Sequence, residues 1–276
     1  MGKKRAALDL GEWQVRPGIP PDLARIDADA SPASSGKRAV DEARLDALGK
    51  RLGELQNRLY ASKQRSMLLI LQGMDASGKD GVIRSVFSQI SPLGVQAHAF
   101  GVPVGAELTH DFLWRVHSRT PARGEIAIFN RSQYEDVVVT RVRKTVPEDL
   151  IIRRIEHIRQ FEALLSDEGT LIIKCFLHLS YKEQGKRLKE RLTMPEKRWK
   201  LQQSDLDDRR LWKDFCGAYE SALGATSTAH APWTIIPANS KFQRDLMVTE
   251  LLVAGLEGMD LHYPASTLPK SARIPE

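Results

Sequence analysis

MLLILQGMDASGKDGVIRSVFSQ, residues 67–89, holds the decision about the fold. Six residues with an apolar core, Met67 to Gln72, are the length and chemistry of a buried strand. Gly73, Gly78 and Lys79 then match G-x-x-x-x-G-K, and the residues from Lys79 to about Gln89 have a helical pattern. Strand, glycine-rich turn and helix in that order form a phosphate cradle. The glycines let the backbone curl so that N–H groups point at phosphate oxygens, and the helix N-terminus adds partial positive charge. A bare glycine turn is the competing reading. It does not explain why strand and helix flank the turn on the correct sides.

The loop departs from the common pattern in one respect. Asp80 stands where a Ser or Thr hydroxyl usually follows the lysine, and Asp75 adds a second carboxylate inside the turn. Carboxylates beside a polyanion repel it unless a cation intervenes, so Asp75 and Asp80 predict Mg²⁺, with Mn²⁺ as the substitute, or a carboxylate that orients the acceptor.

Outward from the loop, helices and strands alternate. The spacing of Leu45, Leu48, Leu52, Leu55 and Leu59 predicts an amphipathic helix over 41–63. Strands are expected at 96–100, 125–129, 170–177 and 234–236. Helices are expected at 107–117, 147–166, 182–193, 205–223 and 242–258. This rhythm predicts an α/β chain, a three-layer α/β/α sandwich on a parallel sheet. Residues 1–40, rich in Pro, Gly, Ser and Ala, read as an extended N-terminal arm. Residues 41–276 read as one P-loop kinase domain whose helical lid spans about 182–213.

A second motif, GEIAIFNRSQYEDVVV at 124–139, follows another strand. Asn130 occupies the position where P-loop enzymes usually place a metal-binding acid. Arg131, Glu135 and Asp136 follow at what should be the sheet's carboxyl edge, where crevices form. Ion pairing and helix capping are their plainer explanations.

The net charge of +6 is unevenly placed. Residues 182–200 alone carry eight Lys or Arg against three Asp or Glu. Such a patch suits a polyanion. Arg187 and Arg191 share a helix face. Lys197, Arg198 and Lys200 follow a proline break, and Arg209 and Arg210 sit on the return helix. Arginines closing over a phosphoryl group would stabilise its charge and exclude water. Trp199 and Trp212 read as lid packing. No stretch approaches the ~18 apolar residues of a membrane helix, the basic N-terminus has no apolar run behind it, and Cys175 and Cys216 lack metal-ligand spacing. A cytoplasmic enzyme that binds neither membrane nor nucleic acid is therefore expected.

These segments, together with KCFLHLSYKEQGKRLKERL, PEKRWK, DLDDRRLWKDF and APWTIIPANSKFQRD, occur in an order and spacing that resembles the polyphosphate kinase 2 family over about residues 66–256. The resemblance implies Mg²⁺-dependent, reversible phosphoryl transfer between inorganic polyphosphate and nucleotides (AMP, ADP and ATP, with guanine nucleotides as further candidates), in homodimers or homotetramers. It implies that Asp75 works with the metal and Lys79, that Arg131 contacts phosphate, and that Arg187 and Arg191 line the donor path. One family subclass carries FDRSWYN and another FNRSYYEEV. Asn130 and Glu135 make this chain similar to the second, which accepts both mono- and diphosphates. Gln133, Tyr181, Asn239 and Phe242 depart from common family residues.

The expected catalytic group is thus Asp75, Lys79, Arg131, Arg187 and Arg191. The expected phosphate and nucleotide shell is Gly73, Ser77, Gly78, Lys79, Asp80, Gly81, Asn130 and Glu135. The expected polyphosphate track is Lys79, Arg84, Arg191, Lys197, Lys200 and Arg209. Two rivals stand beside this reading: a nucleotide kinase using ATP as donor, and a nucleic-acid-binding protein using the basic patch. The second lacks interleaved aromatics and a zinc pattern.

Overall fold

Ser66–Gln72, SMLLILQ, is buried along its whole length, as a strand covered on both faces must be. A computed structural model of the chain describes residues 10–269 and 272–274. The first nine residues of the expected arm, and residues 270, 271, 275 and 276 of the expected kinase domain, lie outside these. This strand, β1, is the centre of a five-stranded sheet with β2 (Val95–Ala99), β3 (Ile126–Asn130), β4 (Thr170–His178) and β5 (Trp233–Pro237) in the order β2-β3-β1-β4-β5. All neighbours pair in parallel.

Strand alternation sends Leu68 and Ile70 to one face and Met67, Leu69 and Leu71 to the other. The first face packs against α4 (Glu135–Val142), α5 (Glu148–Asp167) and α9 (Trp212–Thr226) through Val137, Ile158, Phe161, Phe215 and Leu223. The second packs against α1 (Arg38–Ser62), α2 (Lys79–Val86) and α10 (Lys241–Glu257) through Leu52, Leu59, Val82, Leu246 and Leu252. The three-layer parallel sandwich is therefore the architecture of the chain. The chain leaves β1 toward β2 and β3 on one side and reaches β4 and β5 on the other. The crevice at the carboxyl ends of the strands thus opens over β1.

Two expected helices are interrupted. In place of one helix over 107–117 there is a 3₁₀ turn at Gly105–Leu108 and a single turn, α3, at Trp114–His117. The reason is local. The Thr109 hydroxyl donates back to the Ala106 carbonyl, and the Asp111 carboxylate accepts from the Leu113 N–H (2.9 Å). Side chains of this type compete with helical backbone bonds. The helix expected over 205–223 breaks at Leu211 (φ −94°, ψ 20°), separating α8 (Gln203–Arg210) from α9. Between them and α6 (Tyr181–Thr193) lies the short α7 (Pro195–Arg198).

Residues 10–37 contain no α-helix and clasp the β5 side of the sheet. Val15 N–H donates to the Trp233 carbonyl and Ile235 N–H donates to the Trp13 carbonyl. Further along, the Asn239 N–H donates to the Ala28 carbonyl (3.1 Å). These bonds cover an edge that would otherwise present open backbone groups.

A charged cluster lies inside the first core. Lys174, in the middle of β4, donates to Glu162 Oε2 of α5 (2.6 Å), to the Thr226 carbonyl (2.8 Å) and to Tyr134 Oη (3.1 Å). Tyr134 Oη donates to Glu162 Oε1 (2.7 Å), and Gln133 Nε2 reaches the same oxygen at 3.3 Å. Lys174 and Glu162 are wholly inaccessible. A buried ion pair survives only when its remaining lone pairs and protons are also matched, and here they are. Gln133 is thereby held inside the core.

Candidate active site

The backbone of residues 73–78 passes through conformations that few side chains allow. Gly73 has φ 143°, and a Cβ there would stand 2.7 Å from the Leu177 carbonyl oxygen. Gly78 has φ 103°, and its Cβ would stand 2.1 Å from Arg244 Nη1. Ala76 (φ 63°) and Arg131 (φ 62°) are left-handed without being glycine. Such strain gathers at functional sites.

Five consecutive carbonyls of the loop are tied from behind. Lys79 Nζ donates to Gly73 O (2.7 Å) and lies 3.4 Å from Met74 O. Gln184 Nε2 donates to Asp75 O (3.3 Å), and Arg187 Nη1 donates to Ala76 O (3.0 Å) and Ser77 O (3.2 Å). Helix α2 begins its hydrogen bonding with Val82 N–H to Gly78 O. The amides of Lys79, Asp80 and Gly81 precede that bond and have no helical acceptor. With the carbonyls so engaged, these amides and the α2 dipole are what the loop offers an anion.

The charges follow. Lys79 is buried, and its ammonium is pushed down to about 8, first by burial and then by Arg131; Asp75, Glu135 and Asp80 oppose the shift. Arg131 Nη2 donates to Asp75 Oδ1 at 2.6 Å. Burial pulls its pKa down, but Glu135 and Asp75 outweigh that and leave it above its ordinary value. Burial raises the Glu135 carboxyl, and Arg131 and Lys79 resist. Asn130 at the end of β3 donates to Asp80 Oδ1 (2.6 Å).

From the opposite side, Lys200 Nζ stands 3.8 Å from Asp80 Oδ2. Arg191 Nη1 faces Asp205 (3.6 Å) and the Lys200 carbonyl (3.4 Å). The structure thus brings Asp75, Lys79, Asp80, Asn130, Arg131, Glu135, Arg191 and Lys200 around one cleft. Lys197 pairs instead with Glu190 (3.5 Å), and Arg84 is exposed on α2. Ser77 is completely buried, with its Oγ against Gly73 and no hydrogen-bond partner.

Two expected arginines are engaged by groups of the chain itself. Arg187, expected as a catalytic group on a lid, is 7% exposed and has its guanidinium fully engaged. It donates to Glu183 Oε1, to Ala76 O and Ser77 O, and to the Ala238 and Asn239 carbonyls at the end of β5. Arg209, expected along polyphosphate, donates to Gln184 Oε1 (2.6 Å) and Tyr181 O (2.9 Å) and lies 3.5 Å over the Tyr181 ring. Trp212 packs edge-on against Tyr181, whereas Trp199 is 75% exposed and packs on little.

Sequence reasoning assigned no part to Asp205 and Asp208 of α8. Burial raises both carboxyls, and the charge of Asp75 across the cleft adds to the rise. Asp208 pairs with Arg143 at the end of α4. Two concavities elsewhere, of about 660 Å³ beside α5 and about 390 Å³ along the free edge of β2, contain none of these groups.

A glycine loop with a buried lysine, at the crevice of a parallel sheet and facing a basic helical flap, defines a P-loop phosphotransferase. The model of the family described as "Polyphosphate kinase 2 (PPK2)" matches residues 35–264, and the chain belongs to that family. It is 50% identical over 256 residues to an AMP/ADP-polyphosphate phosphotransferase of Meiothermus ruber, covering 92% of this chain and 96% of that one. It is 39% identical to an ADP-polyphosphate phosphotransferase of Rhodopseudomonas palustris, covering 93% and 92%. Among solved structures, polyphosphate kinase 2 from Arthrobacter aurescens TC1 superposes with a TM-score of 0.89 at 40% identity, covering 94% of this chain and 92% of that one.

Proposed function

We propose that this chain moves the terminal phosphoryl group of inorganic polyphosphate onto AMP and ADP, and runs the reverse transfer from ATP. The observation that carries the reading is the pairing of the loop lysine and Arg131 with a lid that turns Lys200 and Arg191 toward the same cleft. An ATP donor has only three phosphates; a row of cations reaching into the lid suits a longer polyanion.

The attacking group is a terminal phosphate oxygen of the nucleotide. It is already anionic, so no strong general base is required. It forms a bond to the end phosphorus of polyphosphate as the bond to the bridging oxygen breaks. That oxygen keeps the electron pair and becomes the new end of a chain shorter by one unit. Lys79 leaves its loop carbonyls to meet the migrating group, and Arg131 meets the same equatorial oxygens. Glu135 and Asp75 hold Arg131 in place. The loop amides bind phosphate, and the lid excludes water that would otherwise take the phosphoryl group.

Among the described residues no three His, Cys, Asp or Glu side chains form a metal-binding group. Mg²⁺ takes one or two carboxylates and fills its shell with phosphate oxygens and water, which suits the two loop carboxylates. Asp75 and Asp80 would hold it, with Mn²⁺ as a substitute. When bound it neutralises charge on the phosphates. A homodimer or homotetramer in the cytoplasm belongs to the same reading. Among the described residues no helix is long and apolar enough to cross a membrane.

The test incubates purified protein with Mg²⁺ and polyphosphate plus AMP or ADP and separates the nucleotides. ADP and ATP form, and neither forms without polyphosphate. Equal turnover of AMP with ATP alone would transfer the assignment to an ATP-dependent kinase. Salt-sensitive binding of DNA or RNA with no turnover would transfer it to the nucleic-acid reading.

A further inference from the structure

We propose that Gln184 is a positioning residue for phosphoryl transfer, coupling the return helix of the lid to the phosphate loop through Arg209. The inference rests on the reading that residues 73–81 hold the reacting phosphates.

Gln184 is 1% exposed and uses both ends of its amide. Its Nε2 donates to the carbonyl of Asp75, and its Oε1 accepts from Arg209 Nη1 at 2.6 Å. A chain of two hydrogen bonds therefore joins α8 to the one loop residue whose side chain pairs with Arg131. The carbonyls of Ala76 and Ser77 are gripped by Arg187 one turn further along α6. The first two turns of α6 thus belong to the phosphate cradle. The backbone is extended at Met194 (φ −95°, ψ 114°), which separates α6 from α7.

A second observation supports the relay independently. Gly185 stands inside α6, where glycine costs about 1 kcal/mol relative to alanine. A Cβ at Gly185 would lie 2.8 Å from Arg209 Nη2 and 3.1 Å from its Cζ. The helix forgoes a side chain at the point where the Arg209 guanidinium lies against it. The same α8 carries Asp205 and Asp208, whose carboxyls feel the charge of Asp75. Displacement of α8 therefore reaches Asp75 through the relay to its backbone.

The experiment compares Gln184→Met and Gly185→Ala with the parent enzyme, measuring kcat, KM for polyphosphate and thermal midpoint. Gln184→Met removes both bonds without changing charge. Its kcat is expected to fall by about tenfold, the scale on which sub-ångström misplacement acts, with KM within about twofold. Gly185→Ala displaces Arg209 and leaves Gln184 in place. Its kcat is expected to fall by about threefold while its midpoint holds or rises, since alanine favours the helix. A merely structural role would lower the midpoint and spare kcat per folded molecule. The proposal is overturned if both variants keep kcat within about twofold, or if KM rises as much as kcat falls. Lys79→Ala serves as the control. If that variant is active, the site assignment fails; if it is dead while Gln184→Met and Gly185→Ala are normal, only the relay fails.

Discussion

Replacing Lys174 by methionine removes the cation from a cluster with no access to water. Glu162 would keep Tyr134 Oη and Gln133 Nε2 as donors to Oε1, but Oε2 would lose its 2.6 Å partner and the Thr226 carbonyl would lose its 2.8 Å donor. Burial already pulls the Lys174 ammonium below its ordinary pKa, and the Glu162 charge holds it up. Breaking a buried pair from one side costs about 3–5 kcal/mol. At about 2–4 °C per kcal/mol for a chain of this size, the midpoint should fall by about 6–20 °C. The double variant Lys174→Met, Glu162→Gln keeps a group to accept from Tyr134 and leaves no buried charge, so it should recover more than half of the loss. In the single variant the stranded carboxylate can take a proton, so the deficit should be smaller at pH 5 than at pH 8. Thermal melts measure the midpoint, and urea melts at both pH values measure the recovery and the pH dependence. A single variant within about 1 kcal/mol of the parent, or a double variant no better than the single, would refute the claim that the charge is trapped. Tyr134 precedes Glu135, so turnover of the folded single variant should fall as well.

At the site itself, Lys79→Ala and Asp75→Asn should each abolish transfer and leave the circular dichroism spectrum unchanged; near-normal turnover in either would remove that residue from its role. Burial pushes the Lys79 ammonium down to about 8, and its cationic form is the one that attracts phosphate. The value of kcat/KM for polyphosphate should therefore be level below pH 8 and decline about tenfold per unit above it, while bound phosphate moves the fall in kcat to higher pH. Lys200→Ala removes the lid cation facing Asp80 and should raise KM for long polyphosphate severalfold at low salt with kcat within about twofold, the difference shrinking in high salt.

The phosphate loop was legible because its chemistry is local. A strand, two glycines at fixed spacing and a lysine at a helix start specify the cradle, whatever packs around it. Asn130, Arg131 and Glu135 were legible for a similar reason, since Asn130 ends β3, Arg131 and Glu135 follow it by one and five residues, and parallel pairing sets Leu71 beside Asn130. Lys174 could have been singled out, because a lysine within the apolar run of residues 171–177 must find a buried partner. Nothing in the order of residues marks that partner as Glu162. The helix expected over 107–117 is broken because the Thr109 and Asp111 side chains bond to nearby backbone and divert it, a local competition that the strand–helix rhythm does not show.

Arginine roles show where sequence order ends and packing begins. Arg187, Arg191 and Arg209 stand in the same expected lid and share one chemistry, so pattern alone put all three against phosphate. Their surroundings separate them. Arg187 points into the seam between the phosphate loop and the end of β5, where bare carbonyls need donors. Arg209 lies on a glycine and an amide of α6, and Arg191 remains at the cleft with a carboxylate opposite. Periodicity and turn chemistry act over a few residues and therefore determined the layers, the sheet and the loop from the chain itself. A long cation's choice between a carbonyl and a substrate depends on which surfaces meet across more than a hundred residues, as between Arg187 and Ala76. Only the folded molecule brings those surfaces together.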